Sequence, residues 1–223
     1  MKKILFAIIA LVGFAEAQSQ VTFRPGLRAG ANFSHFTKGD ELRYYDSSFY
    51  NGDNNVEFKS KTDFYVGFYG ALRLTRYYTL QPEITYSRQG SKFETRELYY
   101  DSFDTANYYN KSGQIDVSYL SIAVINKFTF SDRFYVQVGP TIDFVVEKNG
   151  PPLNPNNDNY YYYDSDPTDV DLAFVAGLGF NFTKNLGIEA RVKKGVIPVI
   201  DTSNDSHTNV VFSVGATYTF DLK

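Results

Sequence analysis

From residue 22 onward the chain repeats one pattern, apolar and polar positions alternating with a period of two. Successive side chains of a strand point to opposite faces, so this alternation sorts residues into two environments. Over 22–36, Phe23, Leu27, Ala29, Ala31 and Phe33 interleave with Arg24, Gly26, Arg28, Gly30, Asn32 and Ser34. The same reading predicts strands over 62–74, 77–91, 133–147, 171–182, from 186 onward, and 209–220. The stretch 114–127 is less regular: Leu120, Ile122 and Val124 share one parity, Ile115, Val117 and Tyr119 the other. A bulge near Ser118 would bring both sets to one face, and an unbroken register is the alternative. The seventh stretch runs into GVIPVI, where Pro198 cannot donate a ladder bond and the chain is expected to leave the sheet.

The connections come in two sizes. Short ones lie near 75–76, 129–132 and 183–185, and long ones over 37–61, 92–113, 148–170 and 198–208. They alternate strictly. An up-and-down path therefore sends every long loop to one end and both termini, with the short turns, to the other. Three acidic, tyrosine-rich echoes, ELRYYDSSFY at 41–50, ELYYDSF at 97–103 and NYYYYDSD at 159–166, fall in the first three long loops.

The predicted fold is all-β: an eight-stranded antiparallel up-and-down transmembrane β-barrel. Closure removes unpaired edges that hydrocarbon would punish, and most of the segments reach the ~9–11 residues a spanning strand needs. The polar face carries small residues and charges of both signs, namely Arg24, Arg28, Arg73, Glu83, Asp143, Glu147, Glu189, Arg191 and Lys193. These are expected to pair inside as a plug, since unpaired burial is costly. A soluble barrel with the faces reversed is the alternative. Aromatics near strand ends (Tyr77, Tyr78, Tyr86, Phe128, Phe130, Phe134, Phe182, Tyr218 and Phe220) suit interfacial girdles and favour the membrane.

Composition sharpens this picture. Of 223 residues, 19 are Tyr and 20 Phe, and there is no cysteine, so no disulfide or thiolate metal site exists. The opening MKKILFAIIALVGFAEA reads as a secretory signal peptide over 1–17, leaving 18–223 as one barrel domain. The chain has 22 bases and 25 acids. No basic stripe points to nucleic acid.

Chemistry-bearing motifs are sparse. His35 and His207, beside Ser34 and Ser206 and near Asp201 and Asp205, fall at long-loop ends and raise the idea of a membrane-embedded hydrolase, but no G-x-S-x-G nucleophile turn is present. The acids Asp40, Glu41, Asp46, Glu97, Asp101, Asp164, Asp166 and Asp169 lack calcium-loop spacing. No catalytic, cofactor-binding or metal-ligating residue is assigned, and no cofactor is expected.

The segments GLRAGANFS (26–34), LQPEITYSRQGS (80–91), YLSIAVINKF (119–128), YVQVGPTIDF (135–144) and FSVGATYTF (212–220) resemble the PorT-like outer-membrane β-barrel proteins of Bacteroidetes, over essentially the whole chain after the leader. Ser121 and Ala123 stand where that family's pattern has an acid and a proline, while Lys127 matches it. The resemblance implies residence in the outer membrane, among its lipid and lipopolysaccharide, and the family's namesake takes part in protein secretion. The expected role is structural or surface-interacting, through Tyr/Asp-rich loops that meet a surface ligand or an envelope protein. A narrow pore or a secretion-associated role is the alternative.

Overall fold

The computed structural model describes residues 21–37, 57–100, 105–131, 133–149, 169–198, 200–201 and 206–221. The strands are β1 (Thr22–Phe36), β2 (Glu57–Lys59), β3 (Lys61–Arg73), β4 (Tyr78–Tyr100), β5 (Ala106–Phe130), β6 (Phe134–Asn149), β7 (Val170–Asn181), β8 (Leu186–Gly195), β9 (Ile200–Asp201), β10 (Ser206–His207) and β11 (Asn209–Thr219). Eight of them form a closed antiparallel ring in the order β4-β3-β1-β11-β8-β7-β6-β5, with β5 returning to β4. β2 continues the path of β3 along β4, and β9 and β10 form a separate hairpin.

The ring's stagger can be followed from partner to partner: Phe23, Leu72, Leu80, Asn126, Val138, Ala176, Val192, Phe212, and back to β1 at Phe33. One circuit thus climbs from Phe23 to Phe33 on the same strand. A slip of ~33 Å across eight strand spacings of ~4.8 Å sets a strand tilt of ~40°, and a barrel of this size has an interior that side chains fill.

The faces lie as the alternation predicts. Phe23, Phe33, Phe64, Val66, Phe68, Ile84, Ile122, Val138, Phe174, Ile188 and Phe212 are exposed, whereas Arg28, Asn32, Glu83, Ser87, Gln137, Asp143, Glu189 and Arg191 are buried. Tyr78 packs on Phe128, Phe130 on Phe134, Phe180 on Phe182, and Tyr218 on Phe220, forming an aromatic girdle at the short-turn end. A second set, with Phe33 against Phe212 and Phe64 against Tyr86, lies toward the other end. Along β6, Phe134 to Phe144 covers ~33 Å of strand, or ~25 Å of height after tilting, which matches the apolar band of outer-membrane barrels.

Two expectations need correction. The predicted bulge is in the partner strand. Ser118 faces Glu147 and Tyr119 faces Val145, so the extra residue is Val146 of β6, while β5 keeps unbroken register with β4. The two apolar sets of β5 therefore stay on opposite faces, Ile115, Val117 and Tyr119 inward and Leu120, Ile122 and Val124 outward. Second, most of the predicted loop 92–113 is strand. β4 and β5 remain paired to Tyr100 and Ala106, because polar residues alternate as readily in an aqueous ribbon as apolar ones do in a membrane wall.

Close approach fixes some glycines. A Cβ on Gly179 would lie 2.2 Å from the Tyr135 ring of the neighbouring strand, and Gly26 meets Tyr69 in the same way. The glycine floor lets each ring lie across the lumen. Gly90 has φ 133°, a conformation side chains resist, where β4 passes the junction of β2 and β3. There Tyr65 faces Ser87 while Phe58 faces Phe93, a one-residue slip that Ser60 absorbs.

Candidate functional site

The lumen is the only place where buried polar chemistry converges among the described residues. At mid-height, strands β1, β4 and β8 bring Arg28, Glu83, Glu189 and Arg191 together. Arg28 lies five residues from both Phe23 and Phe33, which mark the two aromatic levels. Arg191 donates to both oxygens of Glu83 at 2.7 and 2.8 Å and to Glu189 at 2.8 Å. Arg28 donates to Glu189 at 2.8 Å and to Glu83 at 3.2 Å. Gln81 donates to Glu83 at 2.7 Å, Gln137 to Glu189 at 3.2 Å, and the Arg28 guanidinium lies 4.5 Å from the Tyr65 ring centroid. Two positive and two negative charges cancel, and their hydrogen bonds saturate both carboxylates. That is the condition under which buried charge is tolerated.

Toward the short turns, Lys127 places its ammonium 3.6 Å from the Tyr135 ring centroid. Toward the long loops lies a cavity of about 40 Å³ lined by Asn32, Ser87, Ser121, Thr141 and Ser213. Higher still, Lys193 bonds Asp143, and Lys61 lies 2.6 Å from both Asp63 and Asp116. Above these, Phe36, Phe58, Phe93, Ile115, Val117 and Tyr119 form a buried apolar cap, against which Val145 packs. His207 meets Phe58 edge-on at 5.2 Å. The lumen is thus filled at two levels, by an ion network and by a hydrophobic lid.

Not every charge of the expected plug belongs to it. Arg73 is exposed at the short-turn end, bonding the Thr75 and Arg76 carbonyls. Arg24 pairs with Asp221 there, and the Asp221 carboxyl is held below the usual carboxylate range, first by the Asn185 amide and then by Arg24. Glu147 is exposed and accepts from Asn149. Arg73 and Arg24 sit at the short-turn strand ends, where alternation persists although the lumen has already opened to water, whereas the bulge at Val146 turns Glu147 to the outer face, opposite Ser118.

The histidines do not converge. His35 is exposed on the outer face of β1 and His207 is buried inside, its Nδ1 2.6 Å from the Thr37 carbonyl. Ser34 donates to the Gly90 carbonyl. Asp205 and the side chains of Asp201 and Ser206 lie outside the described residues, as do the tyrosine-rich segments 41–50 and 159–166 and the side chains of 97–103. Of the rim acids, Asp169 is described and pairs with Lys148 at 3.0 Å. Among the described residues, no group of three or more His, Asp or Glu side chains has the arrangement to hold a metal. The sequence reading missed the cap residues Phe58 and Phe93, which it had placed in loops. The alternation Lys92, Phe93, Glu94 was the available signal.

A closed ring of eight tilted strands with an apolar, aromatic-girdled exterior and an interior of paired opposite charges defines an integral membrane β-barrel. Residues 16–201 match the family model described as outer membrane protein beta-barrel domain, and the chain belongs to that family of the cell outer membrane. It is a small integral outer-membrane protein. No curated protein matches the chain. Among solved structures it is similar to Ail, the attachment invasion locus protein of Yersinia pestis crystallised with the heparin analogue sucrose octasulfate, at 16% identity over 89% of this chain and 99% of that one, TM-score 0.42. Neisserial surface protein A aligns at 10% identity over 88% and 97%, TM-score 0.47. OprG from Pseudomonas aeruginosa aligns at 11% over 92% and 99%, TM-score 0.45.

Proposed function

We propose that this protein is a closed-lumen surface barrel of the PorT-like kind, exported by a leader over residues 1–17. It acts through its long-loop end on a surface ligand or envelope protein, with lipopolysaccharide around its outer rim. The observation that carries the reading is the β4–β5 ribbon. These strands run 23 and 25 residues and stay paired to Tyr100 and Ala106. Described partners end earlier, β2 at Glu57 opposite Glu94 and β6 at Asn149 opposite Asp116. The ribbon therefore continues ~20 Å along the strand beyond the last described partner of β4. Its sequence, TRELYYDSFDTANYYNK, is rich in tyrosine, which offers contact area and a hydroxyl at low ordering cost.

Replacing residues 96–110 by an Asn-Gly turn is expected to leave a folded, membrane-inserted barrel. It should abolish whole-cell binding to whichever member of a glycan and envelope-protein panel the parent captures. Retained binding would overturn the role of the ribbon. In planar bilayers the parent is expected to give no steady unitary conductance, and a stable open channel would favour the pore reading.

A further inference from the structure

The short-turn end carries a ring of bases that the closed lumen does not use. Two of its three turns are built alike. The Thr75 hydroxyl accepts from the backbone N–H of Tyr77 and Tyr78, and Thr183 accepts from Asn185 and Leu186. Each such turn holds its second residue, Arg76 or Lys184, at the rim. Arg133 occupies the third turn, and Arg73 and Arg24 complete the circuit. Among the described residues this rim has one acid, Asp221, which Arg24 already neutralises. Lys184 also acts on Asp221 and helps keep its carboxyl charged, Arg133 has no acidic partner among the described residues, and Arg76 lies 5.6 Å from the exposed Tyr77 ring. In the long connections acids outnumber bases, so the rim's positive sign runs against a chain whose net charge is −3.

We propose that this ring binds the phosphates of anionic phospholipids in the leaflet on the short-turn side, which in outer-membrane barrels is the periplasmic one. Position selects the occupant. The bases sit immediately beyond the aromatic girdle of Tyr77, Phe130, Phe134, Phe182 and Phe220, where headgroups begin. They are spread over every turn of the circumference. A protein partner would need one concentrated patch, whereas a lipid annulus surrounds the barrel. Opposite charge at this boundary converts to about a fivefold preference per base, and salt screens it.

The test uses the full mature barrel in nanodiscs of phosphatidylcholine alone or mixed with phosphatidylglycerol. Lipids retained by the protein are counted by native mass spectrometry. The parent is expected to retain phosphatidylglycerol over phosphatidylcholine by about tenfold or more, and to lose most of that preference between about 0.05 and 0.5 M NaCl. Arg76→Gln/Arg133→Gln/Lys184→Gln should abolish the preference, and Arg76→Lys/Arg133→Lys/Lys184→Arg should keep it. His35→Gln/Lys92→Gln/Lys194→Gln, which alters bases toward the opposite end, should leave it intact. No preference in the parent overturns the proposal, as does loss only in the opposite-end variant. Equal thermal stabilisation by inorganic phosphate would show a general anion site and overturn the lipid assignment. The salt titration needs only the parent, so the proposal stays testable if a variant does not fold.

Discussion

Arg191→Met is expected to lower the unfolding free energy of the barrel by about 3–5 kcal/mol, measured by urea titration in lipid vesicles. The substitution leaves Glu83 and Glu189 facing each other with Arg28 as the one remaining guanidinium. Glu83 would lose its two shortest contacts to an arginine, at 2.7 and 2.8 Å. Removing the opposite charge as well should restore most of the loss. In Glu83→Met/Arg191→Met, Arg28 and Glu189 remain a matched pair joined at 2.8 Å. Replacing a complete buried ion pair by apolar residues of similar volume is often close to neutral. A loss below about 1 kcal/mol in the single variant would mean that water reaches the network, contradicting the doubly filled lumen.

Val138→Arg is expected to cost about 2–4 kcal/mol in the same measurement, whereas Val146→Arg should cost about 0–1 kcal/mol. Both residues face outward on β6 and are exposed. Their difference is depth. Val138 lies between Phe134 and Phe144 in the middle of the apolar band, while Val146 is the bulge residue beyond Phe144. Equal penalties would place the bilayer elsewhere on the wall.

The wall of this barrel was readable because a membrane strand must alternate. Lipid outside and packed charge inside leave no third environment for Phe134, Tyr135, Val136 and Gln137 in succession. Face orientation followed from the same logic, since Arg28, Glu83 and Glu189 find opposite charge only inside. The parts that stayed hidden depend on register between strands. Nothing local distinguishes Arg73, at the open end, from Arg191, in the network, because both follow the alternation. The apolar parity changes in β5, but the extra residue is Val146 in β6. Ile115, Val117 and Tyr119 are apolar because they build the lid, a use of inward positions that a polar-lumen rule does not anticipate. His35 and His207 adjoin similar serines in sequence, yet one faces out and the other in.

The seam between β1 and β11 constrains how the molecule comes into being. Gly30 opposes Gly215 and Ala29 opposes Ala216, so the first and last staves approach with little side-chain bulk between them. A Cβ at Gly30 would come within 2.1 Å of the Val214 carbonyl oxygen. The join links the first and last strands of the ring and cannot form until β11 has been made. Every arrangement that lacks β11 leaves β1 with an unpaired edge, which hydrocarbon penalises, so the ring's stability in the bilayer waits on its last stave.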